Sequence, residues 1–152
     1  MAARRDVSLS IAIILFAVAL TVMRVVSRSG WPKRALGTVR VDRTSFGNFS
    51  FTVEDCKQVG VAGPDSYGAD LVGSGGHDLR VVRAGNDLQL WLYPKRGGPG
   101  IPIDKSGCSQ WDVMFDWEDV RTMNLVGGNI SIRCAVGGGQ IDGAVSFHHC
   151  RK

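Results

Sequence analysis

The chain has 152 residues, of which 44% are hydrophobic and 21% charged, and a formal net charge of +4. That length accommodates one domain, and that apolar content excludes global disorder. The positive charge is concentrated. Residues 24–43 hold six basic residues against the single acid Asp42, whereas residues 44–152 hold ten basic and twelve acidic ones, a net of −2 (10 − 12). A basic segment beside a hydrophobic stretch meets lipid headgroups, so no nucleic-acid partner is expected.

Residues 1–6 form a short basic N-terminus with Arg4 and Arg5. Residues 7–23 (VSLSIAIILFAVALTVM) are uncharged, and Val25 and Val26 continue the apolar character past Arg24. A transmembrane signal-anchor helix is therefore expected over residues 7–26, since about twenty residues cross the hydrocarbon core. The run is apolar all round, which disfavours a buried core helix with a polar face. Residues 25–27 (Val-Val-Ser) offer a cleavage site before Arg28, but an uncleaved anchor is the expectation. Residues 27–43 read as a basic juxtamembrane linker, with Arg24, Arg28, Lys33 and Arg34 nearest the membrane and Trp31 as an interfacial aromatic. Counted alone, those basic residues would retain the following domain in the cytoplasm.

The cysteines argue the other way. Cys56, Cys108, Cys134 and Cys150 all follow the hydrophobic segment, and none forms a Cys-x-x-Cys pair. A zinc ribbon and a thioredoxin-like motif are thus unsupported. An even number in a small domain behind a signal-like helix reads as two disulfides on the oxidising side. Three pairings are open. Cys134 and Cys150 flank the triple glycine at 137–139, which favours that pair and leaves Cys56 with Cys108. Four reduced thiols in a cytosolic domain are the alternative.

Beyond the linker a β domain is expected over residues 44–152. Residues 48–53 (NFSFTV) alternate, with Phe49, Phe51 and Val53 on one face. Residues 79–84 and 87–93 flank Gly85-Asn86, a strong hairpin signal, with Leu88, Leu90 and Leu92 on one face and Gln89, Trp91 and Tyr93 on the other. Residues 94–102 (PKRGGPGIP) read as an exposed loop. Trp111, Val113, Phe115 and Trp117 alternate with Asp112, Met114 and Asp116, giving a strand with an aromatic inner face. Gly127-Gly128 is expected to turn a second hairpin, and residues 137–139 a third. No helical periodicity follows the anchor. The expected fold is all-β, an antiparallel sandwich or partly closed barrel of about eight or nine strands.

Candidate chemistry is sparse. His148 and His149 precede Cys150, but adjacent residues of a regular strand point to opposite faces and a disulfide-bonded Cys150 ligates nothing, so no metal site and no cofactor are expected. Asp112 and Asp116 share a strand face about 13 Å apart, beyond the roughly 5–9.5 Å of a glycosidase pair. They read, with Glu118 and Asp119, as a solvated face. Gly73-Ser74-Gly75 lacks the nucleophile-elbow pattern, and no phosphate loop or dinucleotide fingerprint occurs. No catalytic residue is expected. Trp91 and Tyr93 form a recognition surface if their face is exposed; a two-sided core strand is the plainer reading.

Residues 67–71 (Tyr-Gly-Ala-Asp-Leu), 79–82 (Leu-Arg-Val-Val) and 143–150 (Gly-Ala-Val-Ser-Phe-His-His-Cys) together resemble a pattern in small exported proteins of myxobacteria. The resemblance spans most of residues 50–150 and implies an exported, cysteine-bonded β domain without an assigned activity. The functional expectation is a single-pass membrane protein whose extracytoplasmic β domain acts as a binding or scaffold module of the cell envelope. Its expected partners are membrane lipid, through the N-terminal helix and basic linker, and an envelope protein or glycan. The alternative is a small envelope hydrolase or carbohydrate-active enzyme with a site assembled from His77, Asp78 and the acids of residues 112–119.

Overall fold

The computed structural model describes residues 34–60, 66–120 and 123–150, with the side chains of residues 66, 117–120 and 123–124 outside the description. The expected anchor over residues 7–26 also lies outside the described residues. No helix among the described residues is long and apolar enough to cross a membrane.

The described chain is all-β. Its nine antiparallel strands are β1 (Ala35–Thr44), β2 (Gly47–Gly60), β3 (Ser66–Gly73), β4 (Asp78–Ala84), β5 (Asp87–Tyr93), β6 (Ile101–Ile103), β7 (Cys108–Val120), β8 (Met123–Val136) and β9 (Gly139–Cys150). They form one sheet in the order β6-β5-β4-β3-β2-β1-β9-β8-β7. Five strand spacings separate β3 from β7 in that order, about 24 Å in a flat sheet. Yet the rings of Tyr67 on β3 and Phe115 on β7 lie 5.1 Å apart, centroid to centroid. The sheet therefore curls into a half-barrel rather than splitting into a two-layer sandwich.

The core lies inside the curl and follows the period-2 pattern of the strands. Val39 and Val41, Phe51 and Val53, Leu79 and Val81, Leu90 and Leu92, and Ile130 and Ile132 are all buried, and no polar or charged residue among the described ones is. The β4–β5 hairpin turns on Gly85-Asn86, with Gly85 at φ 60° and Asn86 absent from the left-handed region, as a type II′ turn requires. At the β8–β9 hairpin Val136 faces Gly139, and Gly137 (φ 57°) and Gly138 (φ 80°) form the turn, matching type I′.

Four expectations are corrected. The linker expected to reach residue 43 gives way at residue 35 to β1, which pairs with both β2 and β9. Val39 and Val41 point into the core, while the basic Arg40 points outward and pairs with Asp42 at 2.6 Å. The β domain thus begins with β1, not at residue 44. The loop expected over residues 94–102 loses its end to β6, an edge strand that tolerates Pro102 because one side needs no N–H donor.

Gly127-Gly128 does not turn the chain; β8 runs through it. The reason is close approach: a Cβ on Gly128 would lie 2.2 Å from the Met114 carbonyl oxygen and 3.0 Å from Cζ of Phe147. The β8–β9 register slips at this point, with Val126 facing Cys150 and Gly128 facing Phe147. Two β9 residues, His148 and His149, therefore sit opposite one β8 residue, which is a β-bulge. His149 takes φ 52° there, and its ring lies 5.3 Å from that of His148, edge to face. The bulge breaks the strand alternation that would have sent the two imidazoles to opposite faces.

The disulfides are Cys56–Cys150 and Cys108–Cys134, not the expected pairs. A two-residue turn places Cys134 beside the hairpin end, facing Ile141, whereas Cys150 lies at the far end facing Val126. Eight residues of strand, about 26 Å, keep them apart. Cys108 faces Cys134 directly across β7 and β8.

By loop-closure entropy, the 94-residue separation of Cys56–Cys150 contributes about 4.7 kcal/mol and the 26-residue separation of Cys108–Cys134 about 3.5 kcal/mol. Replacing each pair by Ala should lower unfolding free energy in that order in denaturant titrations. Cys56, Cys134 and Cys150 are at most 1% exposed, whereas Cys108 is half-buried. Limiting reductant should accordingly free Cys108 and Cys134 first, read by maleimide mass tagging.

Candidate binding face

Alternation that sends leucines inward sends a polar row outward. Lys57, Asp70, Arg80, Trp91 and Pro102 face one another in turn across β2, β3, β4, β5 and β6. Asp70 and Arg80 form a fork–fork pair, with Nε donating to Oδ1 at 2.5 Å and Nη2 to Oδ2 at 2.9 Å. The same guanidinium sits 5.1 Å from the centroid of the Tyr93 ring. Hydrogen bonding to Asp70 raises the Arg80 pKa above its ordinary value, so this cation does not titrate in the physiological range.

A second fork stands beside the first. Asp78 opens β4, and its carboxylate accepts from Arg96 Nε at 3.0 Å and Nη2 at 3.0 Å. Arg96 Nη2 also donates to the Gly73 carbonyl at 2.9 Å, and the Arg96 backbone N–H to the Gly76 carbonyl at 2.6 Å. These bonds dock the irregular loop that precedes β6 onto the β3–β4 connection. Hydrogen bonding to Asp78 also raises the Arg96 pKa.

Between the forks lies an open depression of about 270 Å³, lined by Lys57, Asp70, Asp78, Arg80, Tyr93 and Arg96. The two aromatics expected to form one recognition surface border different features. Tyr93 is a wall of this depression, with Arg80 on its ring and Gly100 packed so closely that a Cβ there would lie 2.8 Å from Cζ. Trp91 lines a separate groove of about 350 Å³ that also includes Trp111 of β7. Both tryptophans are half-buried.

The described residues of the alternative enzyme reading are held in separate places, and the side chains of Glu118 and Asp119 lie outside the described residues. The His77 ring stacks on Phe49 at 4.3 Å and contacts Phe51 at 5.6 Å, and its Nδ1 lies 2.6 Å from the Pro94 carbonyl. It thus covers the core where β2 enters it. Asp78 is held by Arg96, and Asp112 and Asp116 are exposed on the outer side of β7. None of the described contacts joins His77 to those acids. Arg80, Asp70 and Arg96 did not emerge as site residues from the sequence. The signal for Arg80 was present, because counting outward from the Gly85-Asn86 turn places it opposite Trp91.

No family model matches the chain, and no curated protein or solved structure matches it.

The Asp70–Arg80 pair is partly solvated, with side-chain exposures of 26% and 36%, so its coupling should be that of a good surface pair. A double-mutant cycle with Asp70→Asn and Arg80→Gln should give about 0.5–1 kcal/mol, weakening as salt rises. Chemical denaturation at low and high salt measures it.

Proposed function

We propose that the chain is a single-pass, membrane-anchored binding or scaffold module of the cell envelope, with its β domain on the extracytoplasmic side. Residues 7–26 act as the anchor, and Arg24, Arg28, Lys33 and Arg34 meet anionic headgroups. Two disulfides and no free cysteine support an oxidising compartment. That support outweighs the basic excess behind the anchor, which by itself favours cytoplasmic retention.

The binding reading is carried by the two arginine–carboxylate forks, set side by side around an open depression on a curled sheet. Each fork holds planar donors and acceptors in fixed directions, so a ligand does not have to order them on binding. Vicinal hydroxyls of a sugar, which both donate and accept, match such rims. The near balance of three cations against two carboxylates disfavours a highly charged ligand. An envelope glycan is therefore the ligand class assigned to the depression. With both carboxylates engaged by guanidinium groups, neither is poised as a general base.

Topology is tested on intact cells with a membrane-impermeant, mass-tagged maleimide. The domain should take up label only after an impermeant reductant is added. Thiols that react without reduction, and only after lysis, would place the domain in the cytoplasm. For the ligand, Arg80→Ala and Asp78→Asn should each weaken retention on purified envelope polysaccharide by about tenfold, a loss of about 1.4 kcal/mol in binding. Unchanged retention by both variants would remove the depression from the account.

A further inference from the structure

We infer that the open seam of the half-barrel is a strand-addition site for an extended, Lys- or Arg-rich segment of a partner protein. The inference rests on reading the domain as a binding module, but not on the arginine-forked depression.

The sheet ends at β6 and β7. β6 is three residues long and pairs only with Leu90, Trp91 and Leu92, so Asp87, Leu88 and Gln89 of β5, paired with β4 on one side, have no strand on the other side among the described residues. β7 is 13 residues long and pairs along one side with β8. On its free side the Phe115 carbonyl accepts a hydrogen bond from Arg83 Nη2 at 2.7 Å. Arg83 belongs to β4, so a side chain stands here where a neighbouring strand would supply a backbone donor. Its Nε is buried and has no hydrogen-bond partner.

Between the two free edges runs the 350 Å³ groove, whose apolar lining comes from Leu88, Leu90, Ile103, Trp91 and Trp111. A free backbone edge beside apolar pockets is what strand addition uses: the ladder supplies affinity, and pockets for alternate side chains supply selectivity.

Charge selects the occupant. Asp87 and Asp104 line the groove, and Asp112 and Asp116 are exposed on the outer side of β7; Lys105 is the one cation of the groove lining. A second copy of the chain brings the same acidic outer row and is a poor occupant in the register centred on Met114. Antiparallel pairing of two β7 strands about Met114 would set Asp112 of one opposite Asp116 of the other, and like charges directly opposite destabilise a ladder. A partner strand with apolar residues toward the groove and Lys or Arg outward satisfies both faces.

The test uses the full chain in a neutral detergent and three labelled octapeptides. One alternates Lys and Val, one alternates Glu and Val, and one repeats the Lys-Val sequence with alternate backbone nitrogens methylated to block one hydrogen-bonding edge. The Lys-Val peptide should bind by fluorescence anisotropy and slow hydrogen exchange at the Trp111, Val113 and Phe115 amides. The Glu-Val and N-methylated peptides should bind at least about tenfold more weakly, and Asp112→Lys with Asp116→Lys should cost a similar factor. Asp70→Asn, on β3 and outside the groove lining, should leave peptide binding unchanged. Equal binding of the N-methylated peptide, absence of protection at the β7 amides, or loss of binding in Asp70→Asn would each overturn the inference.

Discussion

The buried Cys56–Cys150 bridge is the constraint on which the rest of the structure hangs. β1 lies between β2 and β9 and pairs with both, but both neighbours run on past its first residue. At that point the backbone ladder between them ends, and the disulfide replaces it. Cys56 Sγ lies 3.8 Å from the carbonyl oxygens of Arg34 and His148, at the mouth of this gap. The bridge thus holds the five strands on one side of β1 to the three on the other at the angle that closes the curl. The Tyr67–Phe115 contact, the Arg83–Phe115 hydrogen bond and the seam between the sheet edges all depend on that angle. A domain this small gains a large share of its stability from such a closure.

Much of the fold was legible from local pattern. The Gly85-Asn86 hairpin, the alternation in residues 48–53 and the aromatic face of residues 111–115 each rest on a period of two next to a turn or an apolar run, and each is realised. What escaped was decided by contacts distant in sequence. Gly127-Gly128 has the composition of a turn, but its actual task is to let Met114 and Phe147 approach, which only the β7–β8–β9 register reveals. β1 was hidden because Arg40 and Asp42, which flank Val41 on the outward side, lie beside a basic segment, so that charge masked the Val39 and Val41 alternation. The disulfide pairing followed from hairpin geometry that chain proximity misstated.

The candidate site was legible in part for the same reason. Trp91 and Tyr93 were placed on the outward face by alternation, but alternation says nothing of neighbours. Asp70 meets Arg80 only through the β3–β4 register, and Arg96 reaches Asp78 only because an irregular loop folds back over Gly73 and Gly76. The outcome is a face whose charges are largely matched within the domain, beside a seam whose charges are not. On that division rest the two proposals, a neutral polar ligand in the depression and a cationic strand at the edge.

The central claim is that Cys56–Cys150 closes the curled sheet while Cys108–Cys134 ties its β7 edge. Disulfide mapping of unreduced protein tests it directly. Trypsin alone leaves Cys134 and Cys150 on one peptide, because no Lys or Arg lies between them; a second protease cutting before Asp separates them at Asp142. The account predicts that peptide 55–57 is linked to 142–151 and peptide 106–111 to 134–141. Finding 134–141 linked to 142–151, with 55–57 linked to 106–111, would contradict it.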